Sequence, residues 1–287
     1  MFPSAFDYVA AHSVREAVAA KAEGGDDTRF LAGGQSLLPM MKTRLANPAK
    51  LVDINRVPAL DTIERANGHL RVGALVRHAD IARSDLPFGV IAAAAPWISD
   101  PLVRNRGTLC GAVAHCDPEG DWNSVLLATG ADVIATGPSG ERAIPIADFI
   151  VDFFTNALHV DEMVTEVRIP IPVGRVGGSY QKLERKIGDY ATVAVAAHIE
   201  LADNGTISRA GIALTAVAPK NTKVPAAEAV LVGNAPSDVL FAEAGELAAQ
   251  ASQPRSDVRG SAEWKRNVVR VFTRRALAAA VVGANES

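Results

Sequence analysis

Arg29-Phe30-Leu31-Ala32-Gly33-Gly34-Gln35-Ser36 reads as a short strand that runs straight into a glycine pair. Without a Cβ at either glycine, consecutive backbone amides can approach an anion closely, and such a nest suits a diphosphate. A glycine pair after a strand is also what any tight turn uses, so the motif needs a partner. Upstream, Ser13-Val14-Arg15-Glu16 has the spacing of a capping box and predicts a helix to about Lys21, ended by Gly24-Gly25-Asp26-Asp27. Downstream, a break at Pro39 precedes a helix near Met40–Arg44 and a second short strand, Leu51-Val52-Asp53-Ile54. The first fifty or so residues thus form a compact α/β unit.

A second turn, Gly107-Thr108-Leu109-Cys110-Gly111, offers the same chemistry with a hydroxyl added at Thr108. Two glycine turns, each ending a strand, would clamp a pyrophosphate from both sides. Around it, Leu70–Ala74, Asp132–Ala135 and Met163–Ile169 read as strands, and His78–Ser84 and Trp122–Thr129 as helices. The texture changes between Pro172 and Gly178. Beyond it, Tyr180–Glu184, Ala191–Leu201 and Ile207–Val217 are strand-like. Asp203-Asn204-Gly205 predicts a hairpin whose two central residues both take positive φ. Helices follow at Val224–Leu231, Asp238–Ala251 and Ser261 to about Val281. The expectation is an α+β chain in three parts, residues 1–56, 57–175 and 176–287, the last an antiparallel sheet followed by helices.

Composition narrows the chemistry. With 287 residues, 48% of them hydrophobic and 21% charged, the chain can bury a core unaided. A net charge of −3 leaves no cationic field for a phosphate backbone, so nucleic acid is not an expected partner. Asp7, Arg15 and Glu16 interrupt the first twenty residues, and no later apolar run reaches the ~18 residues of a membrane span, which predicts a cytoplasmic chain. Its two cysteines cannot by themselves supply the four thiolates of a [2Fe-2S] cluster. There is no Gly-x-Gly-x-x-Gly or Walker pattern, and Gly34-Gln35-Ser36-Leu37-Leu38 lacks the second glycine of a nucleophile elbow. Cys110, His115, Cys116 and Asp117 fit no zinc spacing and read as packed, reduced thiols with polar neighbours. His78 reads as a helix cap and His198 as a satisfied histidine within an apolar strand. Arg266, Arg270, Arg274 and Arg275 read as a solvated or subunit-facing stripe.

Five segments in order carry a resemblance: Leu31-Ala-Gly-Gly-Gln-Ser-Leu-Leu-Pro39, Leu51-Val-Asp-Ile-Asn55, Arg104-Asn-Arg-Gly-Thr-Leu-Cys-Gly-Ala-Val-Ala-His-Cys-Asp-Pro118, Tyr180-Gln-Lys-Leu-Glu-Arg-Lys-Ile-Gly-Asp-Tyr-Ala191 and Ser261-Ala-Glu-Trp-Lys-Arg266. Together they resemble the flavin-binding medium subunit of molybdenum hydroxylases over nearly the whole chain. That family includes aerobic carbon monoxide dehydrogenase, nicotine and caffeine dehydrogenases and the flavin domain of xanthine dehydrogenase. The resemblance implies a vanillyl-alcohol-oxidase-type FAD-binding fold followed by a C-terminal flavoprotein domain. It implies FAD held through Ala32, Gly33, Gly34, Gln35 and Ser36 and through Thr108, Cys110, Gly111 and Ala112. Asp121 would meet the ribityl chain, with Lys182 and Tyr190 near the isoalloxazine. It further implies no catalytic residue in this chain, and partner subunits that carry [2Fe-2S] clusters and molybdopterin in a dimer of heterotrimers. Many relatives read Thr-x-Gly-Gly followed by Asn or Ser, where this chain places Cys110 and Ala112. A self-contained reductase of the same fold, or a scaffold that has lost flavin, are the alternatives.

Overall fold

The computed structural model describes residues 2–287. Strand β1 (Asp7–Ala10), helix α1 (Val14–Gly24), β2 (Thr28–Leu31), α2 (Leu37–Lys42) and β3 (Lys50–Asp53) form a parallel three-stranded sheet in the order β1-β3-β2. Ser13 caps α1 as its spacing predicts, its hydroxyl accepting from the Glu16 amide while the Glu16 carboxylate accepts from the His12 amide. Helix α2 begins three residues before the predicted Met40 and stops before Arg44. Pro39 does not break it, because Pro39 lies in its first turn, where a missing N–H costs no intrahelical bond. Arg44 leaves the helix with a φ of 65°.

The middle of the chain carries β4 (Ile63–Ala66), β5 (His69–Gly73), α3 (His78–Arg83), α4 (Gly89–Ala94), α5 (Pro101–Arg104), α6 (Leu109–His115), α7 (Asp121–Thr129), β6 (Asp132–Gly137), β7 (Gly140–Pro145), α8 (Ile146–Phe149), the small hairpin β8 (Ile150–Asp152) and β9 (Thr155–Asn156), and β10 (Met163–Pro170). Its five-stranded sheet runs β4-β5-β10-β6-β7, all antiparallel.

The third sheet is β11 (Arg175–Glu184), β12 (Ala191–Leu201), β13 (Ile207–Thr215) and β14 (Thr222–Lys223), followed by α9 (Pro225–Leu231), α10 (Asp238–Ala251) and α11 (Ala262–Glu286). Of β12's residues only Glu200 is not fully buried, so the strand reads as a continuous apolar run. One face packs on the C-terminal helices and the other on α4 and α7 of the preceding region. The β12–β13 turn differs from the expectation, since Gly205 has a φ of 81° but Asn204 does not reach positive φ. Instead the Gly205 amide donates to Ala202 O at 2.9 Å, and the Asn204 side chain accepts from the Thr206 amide at 3.0 Å, closing a longer loop around an ordinary turn. Helix α11 continues five residues past Val281, its Gly283 lying against Gly177 of β11.

Candidate functional site

The two glycine turns touch. A Cβ on Gly33 would lie 2.3 Å from Arg106 O and 2.7 Å from the Cα of Gly107, so glycine is required there by the neighbouring turn. Gly34 is required by its backbone, with a φ of 72°. The second turn, however, does not end a strand: it joins α5 to α6. There Thr108 caps α6, its hydroxyl accepting from the Gly111 amide at 3.0 Å, and a Cβ on Gly111 would crowd that oxygen at 2.7 Å. The anion-binding capacity of this segment therefore comes from the opening amides of a helix rather than from a strand-end turn.

A hydrogen-bonded brace fixes the turns to each other. Asn55 Nδ2 donates to Ala32 O at 2.8 Å, while Arg77 donates to Asn55 Oδ1 at 2.6 Å and to Arg106 O at 2.7 Å. Asp53 accepts from Asn55 and from the Tyr8 hydroxyl, the latter at 2.6 Å. Gln35 folds back so that its Nε2 donates to Gly33 O at 3.2 Å. Among the described residues, no main-chain or side-chain acceptor receives the amides of Gly33, Gly34, Gln35 or Ser36. Burial, then the neighbouring Arg106 charge, lowers the Arg77 pKa, as expected of two cations held close together. Free amides and a helix start, held together by the Asn55–Arg77 brace, are a donor set for a diphosphate.

The Cys110 thiol points the other way. It is buried against Val72 O at 3.5 Å, so contact with a ligand from residue 110 is left to the main chain. Burial raises its pKa far above the ordinary thiol value. Cys116, not Cys110, takes the left-handed conformation, at a φ of 56°, to end α6, and burial pushes its pKa up to about 11. Ala112 is half-buried in α6.

Asp121 is the first residue of α7, and its carboxylate accepts from the Tyr180 hydroxyl at 2.6 Å and from Lys182 Nζ at 3.0 Å. The Lys182 side chain is 1% exposed and also donates to Trp97 O at 3.2 Å, with Glu184 Oε2 at 3.4 Å. Tyr190 is different: the residue is 47% exposed, and burial followed by the charges of Asp117, Glu119 and Asp121 raises its phenol pKa. The structure thus joins Asp121 to Lys182, sets Tyr190 at the rim beside them, and adds Tyr180, Glu184, Asn55 and Arg77, which the sequence reading did not single out. A signal for Tyr180 and Glu184 was present, since Tyr180-x-Lys182-x-Glu184 alternates along one strand and so shares one face, whereas Asn55 and Arg77 are joined across 22 residues and carried none.

Two histidines depart from expectation. His78 does not cap α3, where Arg77 and Asp80 do so; it is buried, and its Nδ1 accepts from Trp122 Nε1 at 3.0 Å. His198 is only half satisfied, with Nε2 at 3.4 Å from Glu200 and no partner at Nδ1.

Residues 4–172 match the family described as FAD binding domain in molybdopterin dehydrogenase, and residues 178–280 match the CO dehydrogenase flavoprotein C-terminal domain. The chain belongs to this family. It is 38% identical to the 6-hydroxypseudooxynicotine dehydrogenase complex subunit alpha of Paenarthrobacter nicotinovorans, over 98% of this chain and 96% of that one. It is likewise 38% identical to the carbon monoxide dehydrogenase medium chain of Hydrogenophaga pseudoflava, over 98% of each. A solved carbon monoxide dehydrogenase from Hydrogenophaga pseudoflava, lacking the Mo-pyranopterin moiety, superimposes with a TM-score of 0.94 at 39% identity, covering 98% of this chain and 99% of that one. Quinoline 2-oxidoreductase from Pseudomonas putida 86 gives 0.90 at 33% identity, covering 99% of both chains. As a medium subunit of this family, the chain is the FAD-binding member of a multi-subunit oxidoreductase.

Proposed function

We propose that the diphosphate of FAD lies on the amides of Gly33, Gly34, Gln35 and Ser36 and on the opening amides of α6 at Leu109 and Cys110, the Gly111 amide being held by the Thr108 hydroxyl, with main-chain atoms of Ala32, Thr108, Gly111 and Ala112 lining the cradle. Asp121 faces the ribityl chain, Lys182 acts through Asp121, and Tyr190 covers one face of the isoalloxazine. The observation that carries this reading is the set of unpartnered amides wedged against Arg106–Gly107 and braced by Asn55 and Arg77. Bound FAD exchanges electrons singly or in pairs, which is the chemistry needed between one-electron clusters and an external acceptor. The protein's own share is to fix the cofactor, exclude water from one face and hold the charge of Asp121.

Substrate oxidation then belongs to a large molybdopterin subunit and cluster chemistry to a small iron–sulfur subunit, assembled with this chain as a dimer of heterotrimers in the cytoplasm. None of the helices among the described residues is long and apolar enough to cross a membrane. Co-expression with the neighbouring chains and counting of flavin, iron and molybdenum in the purified complex tests the assembly. The visible spectrum of this chain alone tests the cofactor, with near 1:1 FAD expected. Substrate turnover by the isolated chain would instead mean a self-contained reductase.

A further inference from the structure

The Asp121 carboxylate stands at the join between the cofactor-binding region and the C-terminal sheet, and both of its side-chain donors come from β11. Tyr180 is 4% exposed and the Lys182 side chain 1%, so neither can serve as a direct ligand without moving. Lys182 is itself fixed by Trp97 O and flanked by Glu184, which accepts from the Gly188 amide at 3.2 Å. This geometry orients one carboxylate through groups that the ligand does not reach. We infer that Tyr180 and Lys182 are positioning residues of the FAD site, acting through Asp121 by keeping its carboxylate ionised and fixed in direction. The inference rests on the reading that Asp121 faces FAD.

Burial by itself favours the neutral acid, and it is the largest influence on Asp121, leaving its pKa above the ordinary value. The Lys182 charge and the hydrogen bonds from Tyr180 and Lys182 oppose that tendency, while Glu184 adds to it. The other charged or titratable groups on this side are half-exposed Tyr190, Asp117 and Glu119 in the turn before α7, and Arg259, which pairs with Glu119 at 3.0 Å. An ionised Asp121 can accept from a ligand hydroxyl, whereas a protonated one has given up part of that capacity. FAD affinity should therefore weaken at acid pH, and the position of that acid limb should be set by β11.

The test is FAD titration of the full-length chain, stripped of flavin, across a pH series, read by flavin fluorescence, for wild type, Tyr180→Phe, Lys182→Met and Asp121→Asn. Far-UV circular dichroism establishes that each is folded. Losing a hydrogen bond to a charged group is worth about ten-fold in affinity. Tyr180→Phe should thus bind about ten-fold more weakly near the limb, with the limb moved to higher pH and the alkaline plateau kept. Lys182→Met should move it further, and Asp121→Asn should remove it. If Lys182→Met fails to fold, Tyr180→Phe still decides. A wild-type profile with no acid limb, or a limb unmoved in Tyr180→Phe, overturns the inference and leaves FAD binding standing. A wild-type chain that takes up no FAD overturns both.

Discussion

Gly33 shows why a residue must be read against its neighbours. Its backbone is ordinary, yet the carbonyl of Arg106 occupies the space a side chain would need. Gly33→Ala should therefore push the two turns apart, lowering FAD content in the purified chain and costing roughly 1–3 kcal/mol in denaturant unfolding. Unchanged flavin content would remove the Gly33–Gly107 contact from the site. Gly34, at positive φ, adds strain to any side chain placed there, so Gly34→Val disturbs the fold along with the site. Buried His78 makes a pH prediction. Burial, then the charges of Arg104 and Arg77, holds its pKa at about 4 against an ordinary 6.5, so the folded state prefers the neutral ring. Its contribution is present above the ordinary value and is lost as pH falls from there through about 4. His78→Leu should flatten stability against pH over that window, and should cost about 1–3 kcal/mol at neutral pH by leaving Trp122 Nε1 without an acceptor. Tyr190 gives the optical prediction: Tyr190→Ala should keep flavin content, raise flavin fluorescence and speed reoxidation by oxygen. Content held with both other readouts unchanged would reduce Tyr190 to packing.

At the scale of elements, what was legible in the sequence follows from how local the cause is. The Ser13 cap, the strand before Gly33 and helix Asp238–Ala251 are written in adjacent residues, and they stand where their spacing puts them, although Glu16 turns to the His12 amide rather than to that of Ser13. Pro39 misled because proline ends a helix or sits in its first turn, and only the flanking Ser36 and Leu37 geometry separates the two. The second glycine turn misled for a different reason. Thr108 and Gly111 are a cap and the residue it receives, a pattern that resembles a loop until α5 is seen upstream. The glycines, Asp121, Lys182 and Tyr190 enter the proposed site through motif order, whereas the Asn55–Arg77 brace joins residues far apart and had no such signal. A similar long-range pair fixes the edge of the middle sheet. Arg142 of β7 makes two bonds to Glu162, at 2.7 and 2.8 Å, and these hold the Glu162 pKa below the usual carboxylate value against the opposing effect of burial. The stabilisation is present above the ordinary Glu pKa and is lost as pH falls through the depressed one. Because Arg142 is 40% exposed, Arg142→Ala should cost about 1 kcal/mol at neutral pH, less in high salt, and the loss should vanish in acid. Equal loss at acid and neutral pH would mean that packing, not charge, is responsible.

Across the whole molecule, α7 is gripped at both ends by the C-terminal sheet. Tyr180 and Lys182 bond Asp121 at its start, and Arg209 donates to Thr129 O at 2.6 Å at its end, where a cation complements the helix dipole. Between these points the sheet comes unusually near, and one row of residues across three strands explains it: Gly178 pairs with His198, which pairs with Gly211. A Cβ on Gly178 would lie 1.9 Å from Val90 N of α4, and one on Gly211 would lie 1.8 Å from Ala128 O of α7. Gly177, facing the opposite side as strand alternation requires, makes room in the same way for Ala280 of α11. The glycines of this sheet therefore set the distance between the cofactor-binding region and the C-terminal domain. Because backbone atoms cannot yield as side-chain tips do, Gly211→Ala must separate sheet from helix or distort both, at a cost of roughly 1–3 kcal/mol or more. The grip on α7 makes the effect reach further than stability. If the sheet lifts, the donors to Asp121 lift with it, so Gly211→Ala should lose FAD affinity although residue 211 lies at the far end of α7 from that carboxylate. A variant that melts earlier yet binds FAD as tightly as wild type would show that the sheet's seat on α7 serves packing alone.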